Sequence, residues 1–105
     1  MFKIVVFVPA EYVEAVKQAM FDAGAGKMFG YDHCCWQTEG MGQFRPGAGA
    51  NPTLGEVGAV EQVPETRLET VCEKSVVAAV VAAIRASHPY EVPAFDVWET
   101  LSLEF

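Results

Sequence analysis

Twice along this chain an apolar, strand-like run leads into an amphipathic helical segment and then into a second strand-like run. The first pass opens with Phe2 to Val8, nearly all β-branched or aromatic, as suits a strand buried on both faces. Pro9 closes that run and is tolerated in the first turn of a helix. From Ala10 to Ala23, Tyr12, Val13, Val16, Ala19, Met20 and Ala23 recur at helical spacing, and Gly24 and Gly26 mark the helix end. His33 to Thr38 reads as the next strand.

The second pass repeats the order. Glu65 to Glu73 alternates, with Leu68, Thr70 and Cys72 on one face and Arg67, Glu69 and Glu73 on the other. Lys74 to Ser87 is helical, with Val77, Val80, Val81 and Ile84 as its apolar stripe. The dipeptide His88-Pro89 ends it, because the residue before a proline disfavours helix. In a last strand, Phe95, Val97, Leu101 and Leu103 alternate with Asp96, Thr100, Ser102 and Glu104. Between the two passes, Gly40, Gly42, Gly47, Gly49, Gly55 and Gly58 with Pro46 and Pro52 make a glycine-rich segment. It is expected to be a long loop over about 39–64, without helix or regular strand.

Two βαβ units with right-handed crossovers predict an α+β, ferredoxin-like split βαβ fold: an antiparallel sheet with two helices on one face. At 105 residues there is room for one such domain, spanning 1–105. Two helices leave the other sheet face uncovered. Burying it by self-association predicts a homo-oligomer.

Composition narrows the partners. A net charge of −7, with seven Lys and Arg forming no patch, argues against nucleic acid, which needs clustered cations. The longest apolar run, Val76 to Ile84, is about half of the roughly 18 residues a membrane span requires. No membrane or signal segment is read at the N-terminus, where Pro9 and Glu11 cut the apolar start short. Three cysteines, two of them adjacent, do not make a disulfide framework, which predicts a reducing, cytoplasmic setting.

Three segments carry candidate chemistry. The stretch Gly40-Met41-Gly42-Gln43-Phe44-Arg45 offers backbone N–H groups and a guanidinium. Gly40, Gly42, Phe44 and Arg45 are therefore candidate ligand-binding residues, possible holders of a phosphate. The other reading is a structural loop that needs glycines for positive φ. Strand alternation over 33–39 places His33, Cys35, Gln37 and Glu39 on the open sheet face, with Cys34, Trp36 and Thr38 under the helices. Imidazole and thiolate two residues apart suit Zn²⁺ or Cu⁺. Glu39, or His88 and Glu91 of a neighbouring subunit, would then complete the ligand set. The plainer reading is a satisfied histidine and two packed thiols. In His88-Pro89-Tyr90-Glu91-Val92-Pro93, His88 and Glu91 are candidate acid–base or metal groups. Alternatively the segment is a rigid connector, with His88 capping helical carbonyls and the Tyr90 hydroxyl wet.

Three signatures bear a family likeness. They are Gly30-Tyr31-Asp32-His33-Cys34-Cys35-Trp36 with Thr38 to Pro46, Gly49-Ala50-Asn51-Pro52 through Gly58, and His88 to Asp96. Together they resemble the PII-like insert domain of the YqfO/YbgI (Nif-three-like) family, here as a stand-alone domain. That family is built around a dinuclear-metal, hydrolase-like core. With two histidines in the whole chain, that core has no counterpart among these residues, and its hydrolase activity is not carried over. The resemblance implies the fold of the PII and CutA proteins, which form trimers. In PII proteins the long loop contacts partners, and ligands bind between subunits. The expectation is a trimeric binding or regulatory module that takes a small ligand, a metal or a protein partner, ahead of an enzyme. The alternatives are a small metal-dependent or thiol enzyme using His33 and a cysteine, or a purely structural oligomerisation domain.

Overall fold

The computed structural model describes residues 1–101. Four strands form one antiparallel sheet in the order β2-β3-β1-β4, where β1 is Phe2–Pro9, β2 Cys35–Phe44, β3 Glu61–Cys72 and β4 Phe95–Glu99. Helix α1 (Val13–Asp22) connects β1 to β2, and α2 (Val77–Ser87) connects β3 to β4, each entered through a short 3₁₀ turn. This is the expected α+β, ferredoxin-like arrangement.

The even-numbered residues of β1 and β3 face the helices. Ile4, Val6 and Val8 meet Leu68 and Cys72 there, beneath Val13, Val16 and Met20 of α1 and Val80 and Ile84 of α2. Burial of each large aliphatic side chain in this layer contributes roughly 1.5–3 kcal/mol. Thr66 and Thr70 are buried in the same row of β3, and the Thr70 hydroxyl donates to the Cys34 carbonyl at 2.7 Å. After α1 the chain turns back through Gly26, whose φ is +83°. A Cβ there would press on the Phe21 ring and the Cys34 nitrogen, so the turn requires glycine. Hydrogen bonds from Gly26 N to Val71 O (2.7 Å) and from Cys34 N to Gly26 O (2.9 Å) deliver the chain to the edge of β3.

Three expectations are corrected. First, the region expected as a loop over 39–64 is largely sheet. Pairing of β2 with β3 runs from Cys35↔Thr70 to Phe44↔Glu61, so the connection is confined to 45–60. Glycines signal loops by their freedom, but Gly40 and Gly42 keep their places in the ladder opposite Glu65 and Val63. A Cβ at Gly42 would fall onto the Glu65 side chain, whose flexible end lies over this glycine.

Second, the faces of β2 are reversed. Cys35, Gln37 and Glu39 pair with Thr70, Leu68 and Thr66 and so lie on the helix side. Trp36 and Thr38 pair with Glu69 and Arg67 on the open side. Trp36 is 57% exposed and is not core. Cys35 and Glu39 are also exposed, because β2 is an edge strand that the helices do not cover.

Third, His33 lies before the strand, in a bend with φ +54°. The last strand ends at Glu99, and Leu101 is exposed. Ser102, Leu103 and Glu104 of the expected strand lie outside the described residues. Among the described residues, no helix is long and apolar enough to cross a membrane.

Candidate functional site

The connection 45–60 is a folded element. Gly58 N donates to Pro46 O at 2.8 Å, and Pro46 is buried. The Thr53 hydroxyl donates to Pro89 O at 3.1 Å, and Asn51 N approaches Glu91 Oε1 at 3.4 Å. These bonds bring the β2–β3 connection against the segment between α2 and β4. Between them lies a cavity of about 310 Å³.

Its walls are mostly apolar. They come from Phe7 on β1, Phe44 at the end of β2, Pro46, Pro52 and Leu54 in the connection, and Tyr90, Val92 and Ala94 before β4. The Phe44 and Tyr90 rings meet edge to face, with centroids 6.0 Å apart. Polar groups are few: Gln43, Arg45, Thr53, Glu65 and Glu91. This is the usual make-up of a small-molecule site. Phe7 and Glu65 also line a second depression on the open sheet face, beside Gly40 and Gly42.

His88 and Tyr90 position the wall. His88 is 6% exposed. Its Nε2–H donates to Phe7 O at 2.7 Å, and its Nδ1 accepts the Tyr90 N–H at 3.1 Å. One neutral imidazole thus ties the end of α2 to β1 and orients the next residues. The expected cap on helical carbonyls is corrected: the ring bonds a strand carbonyl 81 positions away in sequence. The Tyr90 hydroxyl, expected to be wet, is buried beside Glu65 and makes no well-formed hydrogen bond among the described residues. Burial pushes the Tyr90 phenol above its ordinary value, and the negative charge of Glu65 pushes it further. A hydrogen-bonding contact with the same carboxylate, short of good geometry, raises it as well.

Of the four loop residues singled out from sequence, Phe44 and Arg45 line the cavity, while Gly40 and Gly42 are ladder residues outside it. Of the metal candidates, Glu91 also lines the cavity. His33 is elsewhere, with Nδ1 3.0 Å from Asp32 Oδ1 and its ring edge-on to Phe21. Both His88 nitrogens are engaged within the protomer. Among the described residues, no group of three His, Cys, Asp or Glu side chains is placed to hold a metal ion. His33, Cys35, Glu39, His88 and Glu91 are therefore not brought together in one subunit. Sequence reasoning missed Glu65 and the burial of the Tyr90 hydroxyl. The available signal for Glu65 was the pair Gly40 and Gly42, side-chain-free positions that give a neighbouring carboxylate room to lie down.

No protein-family model matches the chain. The GTP cyclohydrolase 1 type 2 homolog of Bacillus subtilis is 51% identical over 96 residues, covering 91% of this chain and 26% of that protein. The chain thus spans about a quarter of the length of the curated relatives it matches. Among solved structures, a Bacillus cereus protein related to NIF3 matches with a TM-score of 0.80 and 41% identity, over 92% of this chain and 24% of that one. CutA1 from Pyrococcus horikoshii matches with a TM-score of 0.71 over 99% of this chain and 87% of that one, at 16% identity, a likeness of fold alone. The chain is a homologue of one domain-sized quarter of the NIF3-related, YqfO/YbgI-type GTP cyclohydrolase 1 type 2 homologs, in the fold shared by the CutA and PII proteins.

Proposed function

We propose that this chain is a PII-like binding module that self-associates and takes a small ligand in the cavity between the β2–β3 connection and the 88–94 segment. The mostly apolar cavity, with a few polar groups on its wall, carries the reading. The setting supports it, because two segments far apart in sequence are hydrogen-bonded together around an apolar cavity with few polar groups. Catalysis is not part of the proposal. The alternative enzyme reading used His33 and a cysteine, and the His33 ring turns to Asp32 and Phe21 in the bend before β2.

Self-association rests on the uncovered sheet face. Trp36 and Trp98 lie there at 57% and 44% exposure, around Val5 and Val71. Large aromatics on an open sheet mark an interaction surface. A homo-oligomer, with the trimer favoured, is the assembly proposed.

The test is protein-observed NMR against a fragment collection, alongside light scattering of the free protein. Expected are ligand-induced shifts at Phe44, Thr53, Tyr90 and Val92, and a mass above that of the protomer. Fragments that shift only other surfaces would refute the ligand site, and a monomer at micromolar concentration would refute the assembly.

A further inference from the structure

The polar groups of the cavity are unevenly signed. Two carboxylates, Glu65 and Glu91, face one guanidinium, Arg45, which is exposed. Glu91 already receives the Asn51 N–H, at a long 3.4 Å. Glu65 has no ion pair among the described residues: the nearby Arg67 turns to Glu69 at 3.0 Å and stacks over Phe7. The missing side chain at Gly42 lets the Glu65 carboxylate lie down over β2. Such a site is rich in acceptors, poor in donors and walled by aromatic rings. An anion would enter next to two carboxylates with one solvated arginine in compensation. A flat cation would satisfy the carboxylate through paired N–H groups and lay its face on the rings.

We infer that the cavity is selective for a small, flat organic cation, an amidinium or guanidinium on a compact apolar body. Glu65 accepts its N–H groups, and the Phe44 and Tyr90 rings flank it. This rests on the ligand-binding reading of the same cavity. A volume of about 310 Å³ suits a small molecule, at the lower end of the usual pocket range of roughly 300–1,000 Å³.

Three probes of one shape separate charge from fit: benzamidine, benzamide and benzoate. Titration calorimetry of the wild-type protein is expected to rank them in that order, with benzamidine at least about tenfold tighter than benzamide. Glu65→Gln, which keeps the shape of the side chain, should erase the preference. Arg45→Gln, which removes the one cationic group of the wall, should make benzamidine bind more tightly. NMR shifts at Phe44 and Tyr90 locate the bound probe. Benzoate binding as well as or better than benzamidine, weakened by Arg45→Gln, would overturn the cation class and leave the site standing. Equal binding of benzamidine and benzamide would do the same. No probe shifting any cavity residue would overturn both the class and the site. The wild-type ranking decides the matter even if Glu65→Gln fails to fold.

Discussion

Trp36 and Glu69 stand directly opposite each other across β2 and β3, on the sheet face that no helix covers. One residue further along β3, Leu68 is 1% exposed beneath the helices. A single step in the strand thus separates a candidate interface from the core. Trp36→Ala is expected to change protomer stability by less than about 1 kcal/mol, because the ring is largely solvated. Leu68→Ala should cost about 2–5 kcal/mol through the cavity it leaves. Denaturant midpoints check both. If the open face is the oligomer contact, Trp36→Ala also lowers the mass seen in light scattering, and Leu68→Ala does so only on unfolding.

His88→Ala removes both hydrogen bonds that fasten the 88–94 segment, leaving Phe7 O and Tyr90 N unpartnered. A loss of about 1–3 kcal/mol is expected, together with faster amide exchange at Tyr90. Zn²⁺ uptake, where it occurs, should not depend on His88, since both ring nitrogens are committed. Metal titration of His88→Ala with wild-type stoichiometry would agree, and loss of bound metal would contradict it.

The two informative glycines should respond in opposite ways. Gly26→Ala forces a Cβ into a left-handed residue and against the Cys34 nitrogen, so it should cost more than about 1 kcal/mol. At Gly42 the atom met is the tip of the flexible Glu65 side chain. Gly42→Ala should therefore change stability by less than about 1 kcal/mol but displace the carboxylate from the cavity. Thermal midpoints and benzamidine affinity, measured together, distinguish these outcomes.

Two groups predict an alkaline limit. Burial first, then the charge of Glu73, raises the Cys72 thiol above its ordinary 9.0, and burial with Glu65 raises the Tyr90 phenol above its ordinary 10.0. The folded state holds both protons more tightly than the unfolded state. Their contribution is full below the unfolded values and is lost as pH rises through the folded ones. Stability should therefore begin to fall above about pH 9. Cys72→Val should delay the fall until the Tyr90 step, near or above pH 10. Denaturant midpoints between pH 7 and 11 measure this, and a wild-type curve that is flat over that range would contradict it.

The cysteines should separate by reactivity. Cys35 is exposed, Cys34 half-buried and Cys72 buried in the helix-facing layer. A thiol reagent at neutral pH is expected to label Cys35 first, then Cys34, and Cys72 only after denaturant is added. Early labelling of Cys72 would mean that the β1–β3 layer opens readily.

Sequence pattern by itself determined the order of elements, the two helical stripes and the buried row of β3. These signals are local, since period-two and helical spacing of apolar residues already say which side must leave water. Val16, Met20, Leu68, Val80 and Ile84 could thus be assigned to the interior from their spacing. The faces of β2 could not. An edge strand has residues of either kind exposed, so the apolar Trp36 carried no sign of its side until pairing with Glu69 set the register. Gly40 and Gly42 misled for a related reason: their backbone freedom reads as loop, while β3 held them in a ladder. The cavity was least legible, although Phe44, Arg45 and Glu91 were each noticed. Its walls come from residues 7, 43–54, 65 and 90–94, and only the folding of the 45–60 connection onto the 88–94 segment makes them neighbours. That meeting depends on hydrogen bonds that each join a side chain to a backbone group distant in sequence, for which no local spacing is a signal.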